Sequence, residues 1–125
     1  AHCKKLLKPT GVLLLATPMY GSFDASVYKN EWAAWDLPRH LLHFSRKNLI
    51  QFAEKQGFTP VKRRGMPFDS FYVSLLSEKN AHNNVPIWGA LRAGAVGLWS
   101  NLLATAGKRE YSSEMIAFTL SKPQE

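Results

Sequence analysis

Read from its amino end, the chain alternates short apolar runs with polar punctuation. Residues 2–8 pattern as the last turns of a helix, with Lys4, Lys5 and Lys8 toward the end where the helix dipole favours cations. Pro9-Thr10-Gly11 stops it. Val12-Leu13-Leu14-Leu15-Ala16-Thr17 is then a continuous apolar run closed by Pro18. A run of that length between Gly and Pro predicts a strand buried on both faces, as in a parallel sheet. Residues 18–44 form a long connection rich in aromatics. Loops of this length usually carry function or short helices, and Asp24 to Trp35 is expected to be partly helical.

The clearest helix comes next. Ser45 is a good N-cap, Arg46 to Gln56 follow with Leu49, Ile50, Phe52 and Ala53 on one side, and Gly57 suits the left-handed position past the end. Phe58 and Pro60 lead into a strand at Val61 to Gly65, polar enough for a sheet edge. Asp69 is expected to cap a helix from Phe71 to Lys79, and Ala81 to Asn84 read as loop. Residues 87–106 place Trp88, Leu91, Ala95, Leu98, Trp99, Leu102 and Leu103 at helical spacing, while Gly89, Gly94 and Gly97 lower helicity and suggest a break. The uncharged stretch is too short to cross a membrane. Two readings stay open for it: packing on the domain or a partner, and lying in a membrane interface, which the Trp and Leu residues and the Lys108-Arg109 pair suit. The last strand is Glu114 to Leu120, with Met115, Ala117 and Phe118 as its buried residues and Lys122-Pro123 as its stop.

Composition adds limits. The 125 residues fit one domain, and 46% hydrophobic against 20% charged is ordinary globular usage. The net charge of +7 is spread over helix ends, turns and a strand. No zinc-finger spacing, RNA-binding strand signature or basic helix accompanies it, so nucleic acid is not an expected partner. The single cysteine, Cys3, excludes an internal disulfide framework and a cysteine-rich zinc site, and a reducing, cytoplasmic setting is expected. The opening His2-Cys3-Lys4-Lys5 does not read as a signal peptide. It reads as the tail of a helix begun elsewhere, so these residues are expected to be part of a larger chain.

Two blocks carry a family resemblance. Leu6-Leu7-Lys8-Pro9-Thr10-Gly11-Val12-Leu13-Leu14-Leu15-Ala16-Thr17-Pro18-Met19-Tyr20-Gly21-Ser22 resembles the "LLKPGGxLLxxTPNxxS" segment of class I S-adenosylmethionine-dependent methyltransferases. Trp35-Asp36-Leu37-Pro38-Arg39-His40-Leu41-Leu42-His43-Phe44-Ser45 resembles the "WDxPRHLxHFS" block of the subgroup acting on small molecules, quinone precursors and sugars. Leu49 to Phe58 and Gly107 to Pro123 are similar to the helix and final strand that follow in that family. The resemblance implies an α/β fold, the C-terminal half of a Rossmann-like methyltransferase domain over residues 1–125. Its three strands would be the fifth, seventh and sixth of the full sheet, with the seventh antiparallel and between the other two. The cofactor-binding N-terminal half would be absent. Gly11, Gly21, Gly57 and Gly65 are isolated, and no Gly-rich phosphate-type turn occurs. S-adenosylmethionine is therefore the implied cofactor of the intact enzyme, and none is expected to bind this chain tightly. Val12 to Thr17 would lack a neighbour, and an unpaired apolar edge invites pairing with a second copy, the missing half or rearranged segments.

By that resemblance the chain supplies the acceptor side for methyl transfer to a small molecule. Such transfer is an in-line displacement in which the protein positions the nucleophile and, for a hydroxyl acceptor, removes a proton. His40 and His43 are the candidate bases, since imidazole titrates near neutrality, and their spacing would put both on one helical turn. Capping or packing the next helix is the other reading for each. Tyr20, at the carboxyl end of the buried strand, is a candidate acceptor-site wall or hydrogen-bond donor. Trp32 and Trp35 are a candidate aromatic lid, or core. Asp36 reads as a turn cap, and His2 and His82 as surface residues. No metal-ligand spacing is present. The alternative is a non-catalytic basic α/β module acting through dimerisation, a partner or a membrane surface.

Overall fold

The computed structural model describes residues 2–83 and 85–121. They form α1 (His2–Leu6), β1 (Val12–Pro18), α2 (Phe23–Tyr28), α3 (Arg46–Lys55), β2 (Phe58–Gly65), α4 (Pro67–His82), α5 (Ile87–Thr105) and β3 (Ser113–Leu120). Two 3-10 turns, Lys29–Glu31 and Ala33–Trp35, follow α2, so the aromatic connection is partly helical as expected. The fold is α/β. Its sheet order is β1-β3-β2, with β3 antiparallel to both neighbours. This is the order expected for a fifth, seventh and sixth strand. β1 and β2 therefore run the same way, and their carboxyl ends lie on one side of the sheet.

One face of the sheet holds the main core. Leu13 and Leu15 lie opposite Phe118 and Ile116. They pack with Leu49 and Ala53 of α3, Phe58 and Met19. The other face is bare: Val12 and Leu14 are 52% and 60% exposed. This corrects the expectation that Val12 to Thr17 is buried on both faces. The apolar run has helix cover on one side only, and β1 is an edge strand in this sheet. The phase of β3 is corrected too. Ile116 and Phe118 point into the core, so period-two alternation turns Met115 and Ala117 toward the bare face, where both are half-buried. The Lys122-Pro123 stop lies outside the described residues.

Ser45 caps α3 by accepting the Asn48 N–H at 3.3 Å, and Gly57 takes a φ of +76° just past the helix. Leu49 and Ala53 are buried, whereas Phe52 stays 51% exposed against the Phe44 ring. Ser45→Ala should lower stability by about 1 kcal/mol. An unshifted denaturant midpoint would mean that water caps this helix equally well. β2 begins at Phe58, ahead of the predicted Val61, and its pairing slips between Pro60 and Lys62. Proline has no N–H to give the ladder, which places the irregularity there.

α4 is longer than predicted. Pro67 sits in its first turn, where no N–H is needed, and Asn83 ends it in the left-handed conformation with φ 55°. Ala81 and His82 are thus helical rather than loop, and Asn84 lies outside the described residues. The cap position is Met66, and Asp69 is inside the first turn, where the dipole favours its charge. α5 is unbroken. Gly97 serves close packing, since a Cβ there would meet the Phe71 backbone of α4 at 3.1 Å, whereas one on Gly94 would meet open space.

Candidate functional site

A cleft of about 450 Å³ opens at the carboxyl ends of β1 and β2. Thr17 and Pro18 of β1 and Ser113 of β3 form its floor. Met66, Asp69 and Tyr72 at the start of α4 form one wall, and Asp36, Arg39 and His40 from the long connection form the other. An adjoining cleft of about 730 Å³ is lined by Trp32, Trp35, Leu37 and Lys79 and shares Asp36 and Arg39 with the first. The Asp36–Arg39 pair is the ridge between them.

Asp36 builds the turn that carries this wall. It takes a left-handed φ of 43°, and its carbonyl accepts the N–H groups of Arg39 at 2.8 Å and His40 at 3.0 Å. Its carboxylate accepts from Arg39 Nε at 3.0 Å and Nη2 at 2.6 Å. The Arg39 side chain is 82% exposed, so the pair orients more than it stabilises. The other Asp36 oxygen stands 4.0 Å from Nδ1 of His40. That is beyond hydrogen-bond reach, so Asp36 is a neighbouring charge for the partly exposed His40 ring.

The five residues singled out from the sequence are not brought together. His40 alone of them lines the first cleft, while Trp32 and Trp35 line the second. His40 and His43 do not share a helical turn, because residues 40–43 are irregular. His43 Nε2 lies 2.8 Å from the Trp35 carbonyl, with the ring edge-on to Trp35. A carbonyl only accepts, so Nε2 carries the proton and His43 braces Trp35. Tyr20 accepts a hydrogen bond from Asn48 Nδ2 at 3.0 Å and lines neither cleft. Trp32 is 1% exposed and donates from Nε1 to Asp24 at 2.8 Å, while Trp35 meets it edge-on.

Three buried acids lie outside the cleft, each satisfied by neighbours. Asp24 accepts from Trp32, Ser100 and Ser112. Glu78 accepts from the Tyr28 hydroxyl at 3.0 Å and from Arg92 at 2.7 Å. Burial, reinforced by Glu78, pushes the Tyr28 phenol well above its usual range. Glu114 holds Arg46 through Nε at 2.9 Å and through Nη2. Among the described residues no group of three or more His, Cys, Asp or Glu side chains converges as for a metal.

The strand-to-helix turns bear on cofactor binding. A side chain on Gly21, before α2, would run into the Glu110 carboxylate, and one on Gly65, before α4, into the Tyr111 ring. The close approach that glycine permits is therefore taken by the chain's own side chains at both turns.

No family model matches the chain, and no curated protein does. Among solved structures it is similar to the X-ray structure of YjhP from E. coli, a structural genomics target, at 12% identity and a TM-score of 0.48. That likeness covers 98% of this chain and 51% of the other, so the chain spans about half the length of the structure it matches.

Proposed function

We propose that the chain forms the acceptor side of a class I methyltransferase acting on a small molecule. The observation that supports this most is the position of the His40 cleft. It sits at the carboxyl ends of β1 and β2, where open α/β sheets take their ligands. Both sequence blocks that resemble the family converge on it. The first supplies Thr17 and Pro18, and the second supplies Asp36, Arg39 and His40.

In this reading His40 accepts the proton of an acceptor hydroxyl, and the Asp36 carboxylate 4.0 Å away favours the imidazolium that forms. Arg39 and Asp69 set the charge at the mouth, and Met66 and Tyr72 wall the acceptor's apolar part. S-adenosylmethionine supplies the methyl group when bound. In this reading the free edge of β1 offers a seam for a further strand.

The test is transfer of tritiated methyl from S-adenosylmethionine into a small-molecule extract, catalysed by the gene's full reading frame. Label should enter, and His40→Ala should slow it about 10²–10⁴-fold with cofactor binding intact. Unchanged labelling by the variant would remove His40 from the reaction. No labelling by the intact frame would remove the methyltransferase reading itself.

A further inference from the structure

The hairpin of α4 and α5 is packed inside out. Its buried side is small and polar: Ser70, Ser74 and Ser77 from α4, with Gly89, Ala93 and Gly97 from α5. Its outer side is large and apolar. On α5, Trp88, Leu91, Leu98, Trp99 and Leu102 are each 50–77% exposed. Trp88, Leu91, Leu98 and Leu102 recur three, seven and four residues apart, with Trp99 beside Leu98, and make one stripe along a 19-residue helix. On α4, Phe68, Tyr72 and Leu75 are 41–85% exposed. So extended an apolar surface marks an interaction site. Small residues at the helix contact with large ones outward is the packing helices adopt against lipid. Crossing is not at issue, since no helix among the described residues is long and apolar enough to span a membrane.

Charge selects the occupant. From Pro67 to Arg109 the sequence holds Lys79, Arg92, Lys108 and Arg109 against two acids, Asp69, which lines the His40 cleft, and Glu78. Glu78 is 1% exposed and engaged by Arg92 and Tyr28. A second copy would bring the same net positive border, with Asp69, turned to the cleft, as the one acid of the hairpin not fully buried. An anionic bilayer offers both the opposite charge and hydrocarbon, and indole rings such as those of Trp88 and Trp99 settle at its headgroup level.

We infer that the outer side of the α4–α5 hairpin docks in the interface of an anionic lipid bilayer, with the apolar stripe in the acyl boundary and the basic residues among the headgroups. Tyr72 belongs both to the apolar surface and to the wall of the His40 cleft, so the docked cleft opens beside the lipid.

The test is flotation of the chain with vesicles of phosphatidylcholine alone or with a third phosphatidylglycerol. Binding should require phosphatidylglycerol and fall about tenfold or more with added salt, with a blue shift of tryptophan emission on binding. Leu91→Glu/Leu98→Glu should abolish it, and Trp88→Ala, at a 77% exposed site where the fold is not at stake, should weaken it several-fold. Failure to float, equal binding to neutral vesicles, or full binding by both variants would each overturn the inference. So would light scattering that finds a dimer dissolved by the same substitutions, since a second copy would then be the occupant. None of these readouts involves methyl transfer, so the outcome is independent of the proposed activity.

Discussion

Asp24→Ala should cost about 3–5 kcal/mol, a large part of what a domain of this size has in hand. Asp24 is fully buried and accepts three hydrogen bonds: from Trp32 Nε1 at 2.8 Å, Ser100 Oγ at 2.7 Å and Ser112 Oγ at 2.7 Å. These donors come from the connection after α2, from α5 and from the segment entering β3. One carboxylate therefore ties three distant parts of the chain together. Truncation leaves three buried donors facing a void, and each unmet donor costs about 1–3 kcal/mol. Asp24→Asn separates hydrogen bonding from charge. Its oxygen can serve Trp32 and Ser112, which share one carboxylate oxygen, while its amide donates to the Ser100 hydroxyl, which can turn to accept. That variant should lose only about 1–2 kcal/mol. Denaturant titration of the three proteins decides it. Asn as damaging as Ala would mean that the negative charge, not the pattern of acceptors, holds the cluster.

The sequence shows the elements of this fold more clearly than their surroundings. The Val12 to Thr17 run, the Ser45 cap and the Gly57 stop are local signals, and each lies where local chemistry puts it. Burial is not local. Val12-Leu13-Leu14-Leu15 reads the same whether one face of the strand is covered or both. Residues 87–106 repeat at helical spacing, yet nothing in that period says that the Gly and Ser side turns inward and the Trp and Leu side outward. The order of the sheet was legible only through the family resemblance, because hydrophobic pattern carries no information on which strands pair. The cleft was legible in part. His40 is singled out by its residue type and by the block it sits in, whereas Asp69 reads as a helix cap and Tyr72 draws no reading. The cue that would have found them is positional: α4 leaves the same end of the sheet as β1, so its first two turns must face whatever Pro18 faces. The buried acids gave no cue at all. Asp24 meets its partners 8, 76 and 88 residues away, and only the folded topology brings them to it.

Arg46→Met should be nearly as disruptive as Asp24→Ala, at about 3–5 kcal/mol, because it strands a carboxylate. The Glu114 side chain is wholly buried, and its oxygens are held by Arg46 Nε at 2.9 Å, by Nη2, and by the Tyr111 N–H at 3.3 Å. The hydrogen bonds that Arg46 donates to Glu114 hold its guanidinium above even its own high range, ahead of burial, which works the other way. A raised basic group contributes its stability below its unfolded range and loses it only at still higher pH. Raising the pH therefore does not break the pair anywhere below the range in which arginine itself loses its proton. Removing Glu114 instead is the milder change. The Arg46 side chain keeps 25% exposure and reaches water, and its backbone N–H stays bonded to Glu110 at 2.7 Å. Glu114→Met should cost about 2–3 kcal/mol. The double variant, Arg46→Met with Glu114→Met, should be more stable than Arg46→Met alone, since two apolar side chains of similar length leave no buried charge behind. A double-mutant cycle by urea titration measures this, with a coupling of at least about 2 kcal/mol as the expected result. Additive losses would show that the two side chains act through separate packing, and that α3 is fixed to β3 by the Leu49 and Ala53 contacts rather than by its first residue.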